Sequence, residues 1–136
     1  MPPGKRGNRD LSTTRFASAT LARPAVTADW RDRLRLSAYA LYRRRGNRFA
    51  FPAEAEMGRL VDLIDEGRTE QEAPASLTRV TAEALGGAIL HELHRAARAG
   101  SPPESELVPP LMYMAVLPYA GVEAAAEELR TPPPPT

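Results

Sequence analysis

Between Val108 and Leu117 the chain places Val108, Leu111, Met112, Met114, Ala115, Val116 and Leu117 with no charged side chain among them. Wound as a helix, this segment has no polar side, because apolar groups recur at almost every angle around the axis. Such a helix must be covered from every direction, by its own chain or by another. A chain of 136 residues leaves little protein for that purpose. The expectation is therefore a core helix that also reaches an intermolecular interface.

The pattern before it is its first partner. Leu77–Ala99 carries Ala82, Gly86, Ile89, Leu93 and Ala96 at 4-3-4-3 spacing, one stripe along a helix, widened by Leu85, Leu90 and Ala97. Gly86 and Gly87 in its interior each cost about 1 kcal/mol relative to alanine. Close approach of another backbone, or room for a ligand, is the expected compensation. Gly100-Ser101-Pro102-Pro103 ends this helix. Because Pro102, Pro103, Pro109 and Pro110 lack amide protons, continuous helical bonding is predicted to begin near Val108. Pro118 is predicted to stop it, Tyr119-Ala120-Gly121 to turn the chain, and Glu123–Arg130 to form a short last helix. Pro132–Pro135 reads as an extended, polyproline-like tail, with a frayed terminus favoured over a proline-motif ligand.

Upstream, residues 1–27 combine Pro2, Pro3, Gly4, Gly7 and Pro24 with few large apolar groups, so burial cannot offset the entropy of ordering them. They read as a disordered basic arm. A helix from Ala28 to Arg45 follows, capped by Thr27 or Asp29, with Trp30, Leu34, Ala38 and Leu41 on one stripe. Arg43, Arg44 and Arg45 suit the negative end of its dipole and read as solvated terminal charges. Pro52 opens a second helix, Ala53–Glu66, whose core face is Met57, Leu60, Val61 and Ile64, and Gly67 is assigned a left-handed stop. Arg68–Ser76 is a loop. The expected organisation is all-α: an antiparallel bundle of about five helices over 28–130, between the arm (1–27) and a proline-rich tail (131–136).

Several function classes lose their footing here. With no cysteine there is no disulfide framework and no thiolate nucleophile. No run approaches the roughly 18 apolar residues of a bilayer span, and no signal-peptide core follows Met1, so a cytoplasmic protein without membrane contact is expected. His91 and His94 sit at i and i+3, not the i and i+4 of a metal-protease helix, and they are the only two histidines. Neither a metal nor another cofactor is expected. No Ser/His/Asp arrangement, phosphate loop or dinucleotide fingerprint occurs, and the chain does not read as an enzyme. Charge is split: residues 1–50 hold twelve Lys/Arg against Asp10, Asp29 and Asp32, while residues 51–136 hold six Arg against fourteen Asp/Glu. The basic end either contacts nucleic acid or another acidic partner, or is a solvated arm balancing the acidic half.

Leu107–Ala125, with its Leu117-Pro118-Tyr119-Ala120-Gly121 turn and Glu123-Ala124-Ala125 start, resembles the last two helices of TetR-type transcriptional regulators. The Leu77–Ala99 helix resembles the long helix before them; Ala53–Arg68 and Trp30–Arg45 are similar, more distantly, to earlier helices of that regulatory domain. The resemblance implies a homodimer built on a four-helix interface and an apolar pocket for a small effector. It implies DNA contact only through an N-terminal three-helix head, for which this chain has no counterpart. The interface is then expected at Leu85, Ile89, Leu93, Leu111, Met114 and Leu117. The effector pocket is expected at Trp30, Tyr39, Met57, Leu60, Ile64 and His91, although for all except His91 ordinary core is the favoured reading. The competing reading is a stand-alone helical interaction module whose basic arm binds an acidic partner or nucleic acid.

Overall fold

The computed structural model describes residues 29–44 and 54–136. The expected basic arm, Arg45 at the end of the first expected helix, and the start at Pro52 lie outside those residues. The described chain forms five α-helices: α1 (Trp30–Arg43), α2 (Glu54–Asp65), α3 (Arg79–Ala99), α4 (Glu104–Ala120) and α5 (Val122–Arg130). A 3-10 turn, Glu66–Thr69, follows α2. There is no strand among the described residues, so the fold is all-helical.

Local chemistry explains most of the boundaries. The Asp29 side chain accepts the Asp32 amide at 2.9 Å and caps α1. Thr78 does the same for α3, accepting the Val80 amide at 3.3 Å. Gly100 closes α3 at φ +73°, its amide donating to Ala96 O at 2.7 Å. Glu104 and Glu106 fill the first turn of α4, where carboxylates offset the positive end of the dipole.

Two sequence expectations need correction here. Helix α4 begins at Glu104, ahead of Val108, and runs through Pro109, Pro110 and Pro118 to Ala120. Pro109 and Pro110 remove the donors to the carbonyls of Ser105 and Glu106. Both residues are exposed, so water can take those acceptors. Beyond Pro118 the bonding resumes at once, the Gly121 amide reaching Leu117 O at 3.2 Å. Gly121, at φ +93°, ends the helix in its place. Gly67, expected as a left-handed stop, lies within the 3-10 turn without a positive φ. It is needed for space: an ideal Cβ there would sit 2.6 Å from Trp30 Cζ2 and 2.8 Å from the Tyr119 ring.

The helices form two hairpins, α2–α3 and α4–α5, with α1 laid chiefly against α4 and touching α2 and α3. Gly121 alone joins α4 to α5, so α5 folds straight back along α4, the most extensive packing in the molecule. Ala125 is fully buried in that contact. As a result Val108, Met112, Ala115, Val116 and Tyr119 are completely or almost completely buried within one chain. The apolar helix is thus largely hidden without a second copy. The cover comes from α1, α3, α5 and the 3-10 turn, which bring bulky rings, Trp30 and Tyr42, and small alanines that allow close approach.

The two interior glycines of α3 differ. A Cβ on Gly86 would meet Val61 Cγ2 at 2.8 Å, so that glycine is where α2 and α3 approach. A Cβ on Gly87 would meet nothing within 4 Å. Gly67→Ala is expected to destabilise the fold by about 1–3 kcal/mol through overpacking against Trp30. Gly87→Ala is expected to stabilise it by about 0.5–1 kcal/mol through helix propensity. Urea unfolding of the two variants checks both signs.

Candidate functional site

Four of the six residues expected to line a pocket, Trp30, Tyr39, Leu60 and Ile64, are buried members of the one packed core; Met57 borders it and His91 is exposed on the outer side of α3. Trp30 is the best fixed. Its indole N–H donates to Leu63 O at 2.7 Å, tying α1 to α2, and its ring meets Tyr119 edge-on, centroids 5.3 Å apart at 66°. These contacts, with Gly67 pressed beneath, fill the space beside Trp30. His91 is therefore not on the same wall as Trp30, Leu60 and Ile64. Among the described residues no group of three or more His, Cys, Asp or Glu is placed to hold a metal ion.

The six interface candidates also divide. Ile89, Leu93 and Leu111 are buried within the chain, Leu85 and Met114 are half-buried, and Leu117 is 39% exposed. On α4, Pro110, Tyr113, Met114 and Leu117 follow one another at 3-1-3 spacing and so share the helix's open side. Across α3, Val80, Ala84, Ala88 and His91 form the exposed side.

The polar chemistry lies elsewhere, between α1 and the C-terminal segment, and hydropathy gave no sign of it. The Glu128 side chain is 0% exposed. Arg35 Nε donates to its Oε1 at 2.9 Å and Arg31 Nη1 to its Oε2 at 3.2 Å. Arg31 also reaches Ala124 O at 3.0 Å and Glu127 Oε1 at 3.0 Å, while Arg35 holds Asp32 at 2.8 Å. One turn beyond Tyr39, Arg43 donates from Nε and Nη2 to the two Glu104 oxygens, both at 2.8 Å. The same guanidinium lies 5.5 Å from the Tyr39 ring centroid. Arg43 and Arg44, read from sequence as solvated charges, are thus both engaged, Arg44 with Glu56 of α2. The one available signal was the i,i+4 pair Arg31/Arg35 together with Glu127-Glu128, which names no partner by itself.

Two phenols stand apart. The hydroxyls of Tyr39 and Tyr119 are buried and make no hydrogen bond among the described residues. Burial pushes both above the ordinary tyrosine range. For Tyr39 the Glu104 carboxylate adds to the rise, against Arg35 and Arg43; for Tyr119, Asp65 adds to it, against Arg68. Asp65 itself is held below the usual carboxylate range by the hydrogen bond from Arg68.

Removing the buried carboxylate with Glu128→Ala is expected to cost about 3 kcal/mol, the low end for a broken buried pair because both arginines keep some solvent access. Glu127→Ala, on an exposed carboxylate, is expected to stay within about 0.5 kcal/mol. Chemical denaturation at neutral pH separates the two. Linkage gives a second test. An unfolded tyrosine titrates near 10.0 and these folded ones higher, so the unfolded state loses its protons first. Their contribution is fully present below that pH and is lost as pH rises above it. The Tyr39→Phe/Tyr119→Phe double variant is expected to flatten this alkaline loss and to match or exceed the parent's stability at neutral pH. Urea titrations at neutral and alkaline pH read both effects.

A scan against family models and searches of curated proteins and of solved structures return no match to this chain.

Proposed function

We propose that the chain is the self-associating regulatory part of a TetR-like transcriptional regulator, and that two copies join through the open sides of α3 and α4. The observation that carries this reading is the strip on α4. Pro110, Tyr113, Met114 and Leu117 keep an apolar edge open on a helix most of whose other apolar side chains are buried. Leu85 of α3 is likewise only half-buried. The order of helices and the Leu117–Gly121 turn supply the resemblance to the regulator family.

The proposed interface is narrower than the six residues named from sequence. Ile89, Leu93 and Leu111 already face their own core. A two-fold axis would use each open side chain twice. Eight partly exposed apolar groups across the axis, at about 1–1.5 kcal/mol each, exceed the lower end of the association cost, about 4 kcal/mol, by up to about 8 kcal/mol, which corresponds to micromolar dissociation. The dimer proposed is therefore a reversible one.

Trp30, Tyr39, Leu60 and Ile64 are filled core, so a small apolar effector would have to displace packed side chains to enter. DNA contact is assigned to none of the described helices. No described helix is long and apolar enough to cross a membrane.

Light scattering at about 10 μM tests the association. The expected mass is twice the 14.8 kDa of one chain. Leu117→Glu is expected to halve it while leaving the helical circular dichroism unchanged. A folded wild-type monomer at that concentration would overturn the proposal.

A further inference from the structure

The C-terminal sequence Thr131-Pro132-Pro133-Pro134-Pro135-Thr136 has almost no conformational choice. Each proline fixes its own φ, and each residue that precedes a proline is pushed out of the helical region. The segment is therefore confined to a polyproline II strand, which makes no internal hydrogen bonds and leaves its carbonyls free. Two of these are taken. Arg43 donates from Nη2 to Pro134 O at 2.8 Å and from Nη1 to Pro135 O at 3.4 Å. The adjoining Nε–Nη2 edge is clamped by Glu104, so the fork is held in position.

The surroundings are those that suit such a strand. Arg35 and Arg43 stand one helical turn before and after Tyr39, and both are bonded to the C-terminal segment, Arg35 at Glu128 and Arg43 at Pro134. Tyr39 is only 1% exposed, although its neighbour on α1, Leu36, is 50% exposed and Ala40 is open as well. Tyr39 belongs to the packed core, with the Arg43 guanidinium over its ring. A guanidinium fork held rigid by a carboxylate and an aromatic ring is suited to the free carbonyls of such a strand.

We infer that Arg43, positioned by Glu104 and backed by the Tyr39 ring, forms a binding site for an extended proline-rich segment, occupied in this chain by its own C-terminal tail. The tail starts one residue after α5, so its local concentration at the site is about millimolar, and a weak contact is enough to keep it seated. A separate proline-rich segment competes once it exceeds that concentration.

The chain has no cysteine, so Thr136→Cys provides a single attachment point for a nitroxide label on the full-length protein. A seated tail broadens the amide resonances of residues 39–44. Arg43→Met is expected to abolish that broadening without changing the circular dichroism. Arg43→Lys, which cannot present a fork, is expected to reduce it and serves as the second variant if the first does not fold. A synthetic octaproline peptide at about tenfold over the local concentration is expected to lower the broadening roughly fivefold or more, and a glycine-serine peptide of equal length to leave it in place. The inference is overturned if the label leaves residues 39–44 sharp, if broadening survives loss of the Arg43 fork, or if the two peptides act alike.

Discussion

A carboxylate sealed from water is tolerable only if its partners are already in place, and Glu128 imposes that condition on the rest of the chain. An uncompensated charge at such a position costs several kcal/mol, and an ion pair there recovers the cost without a large surplus. What it supplies is register. With Arg31 and Arg35 on α1 both directed at Glu128, α5 has one rotation about its axis and one height along α1 at which the carboxylate is satisfied. A helix of nine residues with Ala125 as its main apolar contact could not set either by hydrophobic burial alone.

That register decides the fate of α4. Held by the arginines at one end and by the single-residue turn at Gly121 at the other, α5 lies along α4 and closes it from solvent. Much of the remaining cover comes from groups that hydropathy counts poorly. Alanines admit a neighbouring backbone, tyrosine rings carry a polar tip on an apolar body, and arginine stems lie flat along apolar surface while their heads reach a carboxylate. An estimate of available cover based on large aliphatic residues misses all three. It therefore leaves α4 needing a second copy over most of its circumference, when only the Pro110–Leu117 edge stays open.

The same physics separates what could be read from the sequence from what could not. Helix existence was legible because a 3.6-residue period and a capping side chain are local facts, as in Leu34 and Ala38 behind Asp29, or Ile89 and Leu93 ahead of Gly100. The ends of α4 were not legible from proline content. A missing amide matters only where the orphaned carbonyl is buried, and Ser105 and Glu106 are exposed. Gly67 could not be assigned its role because the reason for it, the Trp30 and Tyr119 rings, comes from positions 37 residues before and 52 after it. Glu128 is the clearest case. Hydropathy would bury Leu129 and expose Glu128, whereas Leu129 is open and Glu128 is sealed, since the partners that reverse the preference lie nearly a hundred residues away on α1.

The proline tail follows a related logic, with entropy in place of charge. Ordering a flexible residue costs about 1–2 kcal/mol, so five glycines or serines would need several good contacts to remain seated. One hydrogen bond to a charged group is worth about 1.5–3 kcal/mol, too little for such a segment. Four consecutive prolines alter the comparison, because the unfolded tail is already close to the bound shape and has little freedom to lose. A single arginine, itself immobilised by Glu104, then suffices to hold a chain end that would otherwise fray. The stiffness that lets one side chain hold the tail also makes any other stretch of equal stiffness its natural competitor.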